Sequence, residues 1–179
     1  AAFDHFLDFI TPVLGYGTSR FDLFAVVTTK CFNRAFLDHI IVGFSGESDD
    51  DFQKTVDLME EIRFDSAFMF RYSERSGTFA HKNMPDDVPD DVKAARLHQI
   101  IELQEGISAQ MNQQWIGRTV EVLVEGKSRR PGPDGQPTFF GRSPQGKVTI
   151  IREPAQMNDL VQVRIDRVTS HTLYGTSEL

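Results

Sequence analysis

The stretch IIVGFSGESDDDFQKTVDLMEEIRFDSAFMFRYSERSGTFA, residues 40–80, decides the fold. Ile40, Ile41, Val42, Gly43 and Phe44 run apolar without polar alternation, the pattern of a strand covered on both faces, as in a parallel sheet. Gly43 and Gly46 flank a tight turn, where backbone bends or approaches something closely. Ser48 is a helix cap, and Asp49, Asp50 and Asp51 put negative charge in the first turn, where the helix dipole favours it. Phe52, Val56, Met59 and Ile62 then repeat at helical spacing. Ser66 to Ser73 reads as the next strand. Strand, crossover helix and strand of this length make one βαβ unit.

A glycine turn after a strand is common, and by itself it is weak evidence of a ligand. Its position is more informative. In α/β sheets ligands sit beyond the carboxyl ends of the strands, where Gly43 to Glu47 and Tyr72, Ser73 and Arg75 all fall. Phe64, Phe68 and Phe70 read as core or sheet-face residues, and Arg75 alone is an ordinary loop charge.

Residues 81–88, HKNMPDDV, read as a polar loop. Asp86, Asp87, Asp90 and Asp91 invite a metal reading. They lack the spaced oxygens and turn glycine of a calcium loop, and acidic residues before a helix follow from the dipole alone. Pro89 to about Ile116 reads as one long helix started by the proline, with Leu97, Ile100, Leu103, Ile107 and Met111 as its packing stripe. Gly106 permits a bend within it.

From Thr119 the character changes. Thr119–Val124, Thr138–Gly141, Lys147–Arg152, Leu160–Val168 and His171–Tyr174 read as short strands separated by proline and glycine clusters, chiefly Pro131-Gly132-Pro133-Asp134-Gly135. This spacing predicts a small five-stranded antiparallel barrel of OB-like character. Lys127, Arg129, Arg130, Arg142 and Lys147 form a basic set suited to phosphate contact. Residues 1–112 carry 10 Lys and Arg against 19 Asp and Glu, whereas residues 113–179 carry 9 against 7. A polyanion therefore belongs on the second half, and an ordinary solvated surface is the plainer alternative.

The remaining signals are exclusions. The single cysteine, Cys31, makes no internal disulfide and no cluster site, and reads as a small buried apolar residue. No apolar run reaches the length of a membrane span, and the start has no basic n-region of a signal peptide. Phe3, Phe6, Leu7, Ile10, Val13 and Leu14 repeat at helical spacing across Pro12, and Leu23 to Val27 reads as a short strand.

Ile40 to Glu47, Phe52, Arg63 to Phe70, Tyr72-Ser73, Arg75 and Gly77-Thr78 resemble the last third of the radical-SAM barrel of the methylthiotransferases, in the branch that makes 2-methylthio-adenosine in tRNA. That family usually has proline where this chain has Ser45, and often where it has Ser76. VLVEGKSRR, FFGRSPQGKVTII and LVQVRIDRVTSHTLYG resemble the TRAM domain, a small RNA-binding barrel. The resemblance implies a fold class of α/β plus all-β: the C-terminal portion of a (β/α) radical-SAM barrel followed by a five-stranded TRAM barrel. It divides the chain into residues 1–37 without resemblance, 38–112 as barrel and linking helix, and 113–179 as TRAM domain.

The same resemblance implies S-adenosylmethionine and [4Fe–4S] clusters as cofactors of the complete enzyme. Gly43, Phe44, Ser45, Gly46, Glu47, Tyr72, Ser73 and Arg75 would line the S-adenosylmethionine pocket. Cluster ligands in the family come from a CxxxCxxC motif that is absent here, so the chain is expected to be the C-terminal part of a longer, cytoplasmic, monomeric enzyme with a foreign, divergent or wrongly translated start. Alone it is expected to be inactive, with no catalytic or metal-binding residue of its own. The implied reaction is radical insertion of a methylthio group at carbon 2 of a modified adenosine near the anticodon, with tRNA as partner and no membrane. Two other readings are a methylthiotransferase acting on an aspartate of a ribosomal protein and a non-enzymatic RNA-binding module. Arg75, at a position where the ribosomal-protein branch tends to be acidic, and Phe140-Gly141-Arg142 followed by Lys147 favour tRNA.

Overall fold

The computed structural model describes residues 37–132 and 134–177. The expected helical repeat before residue 15, the strand at Leu23 to Val27 and the reading of Cys31 lie outside the described residues. The first unit is β1 (Leu37–Val42), α1 (Asp49–Ile62) and β2 (Ser66–Arg71). β1 and β2 pair in parallel from Leu37 opposite Ser66 to Val42 opposite Arg71. The crossover is the one the apolar run and the helical repeat require, because parallel neighbours cannot be joined by a tight turn. Ser48 caps α1: its hydroxyl accepts from the Asp51 N–H at 3.2 Å, and the Asp51 carboxylate accepts from the Ser48 N–H at 3.3 Å. Each group thereby satisfies a helix-end donor that has no partner within the helix.

Ile40, Val42, Phe52, Val56, Met59 and Phe64 form one core with Ile100 of a long helix, α3 (Asp90–Gln113). The opposite face of the sheet departs from expectation. Phe68 and Phe70 point away from this core and are 52% and 50% exposed. His39 stacks parallel to Phe70 on that face, with ring centroids 6.4 Å apart. Among the described residues, the second face of β1 and β2 is therefore only partly covered. The polar stretch after β2 also differs. Phe79–Asn83 forms a short helix, α2, because the Thr78 hydroxyl accepts from the His81 N–H at 3.3 Å and supplies a cap.

α3 starts after Pro89 and runs without interruption through Gly106. Its buried face is more polar than the predicted stripe, with Lys93, Arg96, Gln104, Ser108 and Asn112 buried beside Ile100 and Ile107.

The second unit is a closed barrel of β3 (Thr119–Lys127), β4 (Phe139–Arg142), β5 (Val148–Ile151), β6 (Leu160–Val168) and β7 (Thr172–Ser177), in the order β3-β4-β5-β7-β6. Val120, Val122, Val124, Ile151, Val163, Ile165 and Leu173 fill it. They alternate with exposed residues along β3 and β6, as a half-buried strand requires. β3 closes the barrel by serving two partners: residues 119–123 pair with β6, and residues 123–127 pair with β4 past a register shift between Val124 and Gly126. A bulge there bends the strand from one partner to the next. The barrel is not wholly antiparallel. β5 and β7 pair in parallel, Val148 opposite Thr172 through Ile151 opposite Gly175, because β7 returns between β5 and β6.

Candidate functional site

The turn after β1 is held from three sides. The Glu47 N–H donates to the Phe44 carbonyl at 2.9 Å, and Gly46 has φ +82, which together make Phe44–Glu47 a turn of type II geometry. The Gly43 N–H donates to Glu47 Oε2 at 2.7 Å, and the Gly46 N–H donates to Asp87 Oδ1 at 2.7 Å. Gly43 has φ +73, and a Cβ on it would lie 2.4 Å from Lys93 Cγ, so both the backbone and the close approach of α3 require glycine.

Two buried cations on α3 complete the setting. Arg96 donates through Nη1 to Glu47 Oε2 at 2.6 Å and through Nη2 to Asp49 Oδ1 at 2.6 Å, with its guanidinium over the Phe52 ring. Lys93 is 2% exposed, and its ammonium ion pairs with Asp86 beside the Tyr72 ring. Asp86 and Asp87, read from sequence as helix-leading charge, are thus partners of Lys93 and of the Gly46 amide. Sequence reasoning missed Lys93 and Arg96. Lys93, Arg96, Ile100 and Gln104 share one helical face, but the charges at that spacing read as solvated rather than buried.

Eight residues were expected at the cofactor pocket, and the structure brings four of them to one cavity. It holds about 600 Å³ at the carboxyl ends of β1 and β2 and is lined by Phe44, Tyr72, Ser73 and Arg75, together with Ile41, Phe70 and Thr78. Phe44 and Tyr72 meet edge to face, with centroids 4.7 Å apart. The Tyr72 hydroxyl and the nearby Ser45 hydroxyl are buried without a hydrogen-bond partner. Gly43, Ser45, Gly46 and Glu47 do not line the cavity. The Glu47 carboxylate is spent on the Gly43 amide and Arg96, so it holds the turn instead of facing a ligand. Among the described residues, no group of three His, Cys, Asp or Glu side chains stands together as a metal set.

The five basic residues expected to meet RNA separate into two groups. Lys127, Arg129 and Arg130 are exposed at the end of β3 and in the loop that follows. The Ser128 N–H donates to the Thr138 carbonyl at 2.8 Å, and the Thr138 hydroxyl donates to the Arg130 carbonyl at 2.9 Å, which ties down the loop that carries them. Arg142 lies at the other end of β4, paired to Glu125 at 3.1 Å. Lys147 departs from expectation. Its ammonium donates to Asp65 Oδ1 at 2.6 Å, with both side chains only 11–12% exposed, so its charge is committed inside the protein.

Residues 113–177 match the TRAM domain family. The chain is 47% identical over 137 residues to a tRNA-2-methylthio-N(6)-dimethylallyladenosine synthase of Phocaeicola vulgatus, covering 76% of this chain and 29% of that protein. It is 50% identical over 137 residues to the synthase so named from Chlorobium limicola, covering 76% of this chain and 30% of that one. To the one from Chlorobaculum tepidum it is 43% identical over 155 residues, which cover 86% of this chain and 34% of the relative. The chain thus spans about a third of the length of the curated relatives it matches. The chain thus carries a TRAM domain and, over the stretch it shares with them, is 43–50% identical to these tRNA-2-methylthio-N(6)-dimethylallyladenosine synthases.

Proposed function

We propose that this chain works as part of a tRNA methylthiotransferase, in which the α/β unit contributes to the S-adenosylmethionine pocket and the barrel holds the RNA. The observation that carries the reading is the 43–50% identity, over 137 to 155 residues, to synthases named for 2-methylthio-adenosine in tRNA. Their names favour a tRNA base over a ribosomal-protein aspartate as the substrate. When bound, S-adenosylmethionine together with a [4Fe–4S] cluster supplies the radical chemistry of the family, and the protein's share is binding, orientation and exclusion of water.

The cavity suits such a cofactor. Its volume lies in the range of small-molecule sites, and its lining is mostly apolar with a few polar groups. Phe44, Phe70 and Tyr72 would cover the flat apolar part of the ligand. Arg75 and Ser73 would hold its charged amino-acid end, and the unpartnered Tyr72 hydroxyl would take up a polar atom. Gly43, Gly46 and Glu47 act one step back, fixing Phe44 through the turn. The described residues offer no cluster ligands, so none is assigned among them.

On the barrel, Lys127, Arg129 and Arg130 would contact phosphates, with Arg142 at the margin. Equilibrium dialysis with S-adenosylhomocysteine tests the pocket half of the reading. Arg75→Ala is expected to weaken binding about tenfold or more, as for loss of a charge-assisted hydrogen bond. Unchanged binding would remove Arg75 from the site.

A further inference from the structure

Lys147 is held far more deliberately than a surface cation needs. It follows the turn Ser143-Pro144-Gln145-Gly146, which is closed by the Gly146 N–H to the Ser143 carbonyl at 2.8 Å and by the Ser143 N–H to the Lys147 carbonyl at 3.0 Å. On the other unit, Asp65 follows Phe64, whose carbonyl accepts from Gln104 Nε2 at 2.7 Å. The Asp65 carbonyl itself accepts from the Ser108 hydroxyl at 3.1 Å. Both ends of the Lys147–Asp65 pair are therefore fixed to rigid backbone before they meet.

A second tie lies at the end of α3. Asn112, fully buried, donates through Nδ2 to the Thr169 and Ser170 carbonyls of the β6–β7 turn at 2.8 and 3.1 Å. Between the two ties the units do not pack continuously. A groove of about 760 Å³ separates them, lined by Phe68, Ile101, Gln104, Gln145 and His171 among others. Where apolar packing is interrupted, orientation falls to the polar contacts. A desolvated ion pair is demanding about geometry even when it adds little net stability.

We propose that Lys147 and Asp65 form a lock that fixes the orientation of the TRAM barrel on the α/β unit, so that Lys147 is a positioning residue and not an RNA contact. The lock sets where Lys127, Arg129 and Arg130 stand relative to the cavity at the ends of β1 and β2. That consequence rests on the function proposed above; the lock itself does not.

The test measures residual dipolar couplings of the backbone amides in α1 and in β6 of the full chain, together with tRNA binding across a salt series. Wild-type couplings from both units are expected to fit one alignment tensor. Lys147→Gln should require two. The exchanged pair, Asp65→Lys with Lys147→Asp, should return to one. The salt slope of tRNA binding should be the same for Lys147→Gln as for the wild type. Two tensors in the wild type, or one in Lys147→Gln, would overturn the lock. A slope flattened by about 0.7–0.9 in Lys147→Gln would instead make Lys147 a phosphate contact. If no tRNA binds at any salt, the RNA reading fails and the couplings still decide the lock.

Discussion

Ser45 occupies the second position of the Phe44–Glu47 turn, ahead of Gly46 at φ +82, with its hydroxyl buried and unpartnered. A turn of this geometry favours proline there, because the ring fixes the backbone angle the turn needs. Ser45→Pro is expected to stabilise the chain by about 0.4–1 kcal/mol through the unfolded state, with a small addition from removing a buried hydroxyl. Urea unfolding checks this, and a lower midpoint would mean that the turn needs an angle proline cannot adopt. Six residues on, Asp51 has a carboxyl pKa below the ordinary 3.8, because the Ser48 hydroxyl and then Lys54 donate to its charged form. A pKa lowered by folding stabilises above the unfolded value, and the contribution is lost as pH falls through the folded value. Ser48→Ala should cost about 1 kcal/mol at neutral pH and raise the Asp51 pKa in an NMR titration. The difference from wild type should narrow below about pH 4, leaving only the cap bond to the Asp51 amide. Both features are legible in the sequence, because turn and cap chemistry depends on residues within four positions of each other.

Elements are less legible, since their faces are set by distant partners. The spacing of α3 is plain, but the burial of Arg96 and Lys93 depends on Glu47 and Asp86, which no local pattern joins to them. Arg96→Leu would leave Glu47 buried with only the Gly43 amide, a change expected to cost about 3 kcal/mol. The loss of Asp49 as a partner should matter little, because its side chain is 97% exposed. Thermal unfolding of Arg96→Leu beside Asp49→Ala separates the two, and equal effects would contradict the ranking. In the barrel the five strands are readable from turn chemistry, whereas the parallel pairing of β5 with β7 is not. Nothing in VTII or TLYGTS encodes the direction of a neighbour 24 positions away. Closure does leave one mark. A Cβ at Gly141 would lie 2.1 Å from the Leu123 carbonyl oxygen, which is backbone and cannot swing aside. Gly141→Ala should therefore destabilise the chain by about 1–3 kcal/mol or open the β3–β4 pairing, seen as faster amide exchange in β4.

At the scale of the molecule, net charge concealed the arrangement. A chain at −7 overall does not by itself point to RNA as a partner. The basic residues count only once it is known which of them face out together. Position in the sequence placed Lys147 among them; the fold pairs it with Asp65 of the other unit and leaves Lys127, Arg129 and Arg130 exposed at the end of β3 and in the loop that follows. The two halves of the proposed site are thus held on separate frames, a cavity at the strand ends of one unit and a cationic loop on the other.

The central claim, that this loop is where the barrel meets tRNA, is tested most directly by filter binding of tRNA to the full chain across a salt series. Three phosphate contacts predict a log–log slope of about −2 to −3, at ~0.7–0.9 per contact. Arg129→Ala with Arg130→Ala should flatten it by about 1.5 without shifting the unfolding midpoint, because exposed charges add little to stability. A double variant that binds tRNA with the wild-type slope would contradict the account and move the RNA to another face of the barrel.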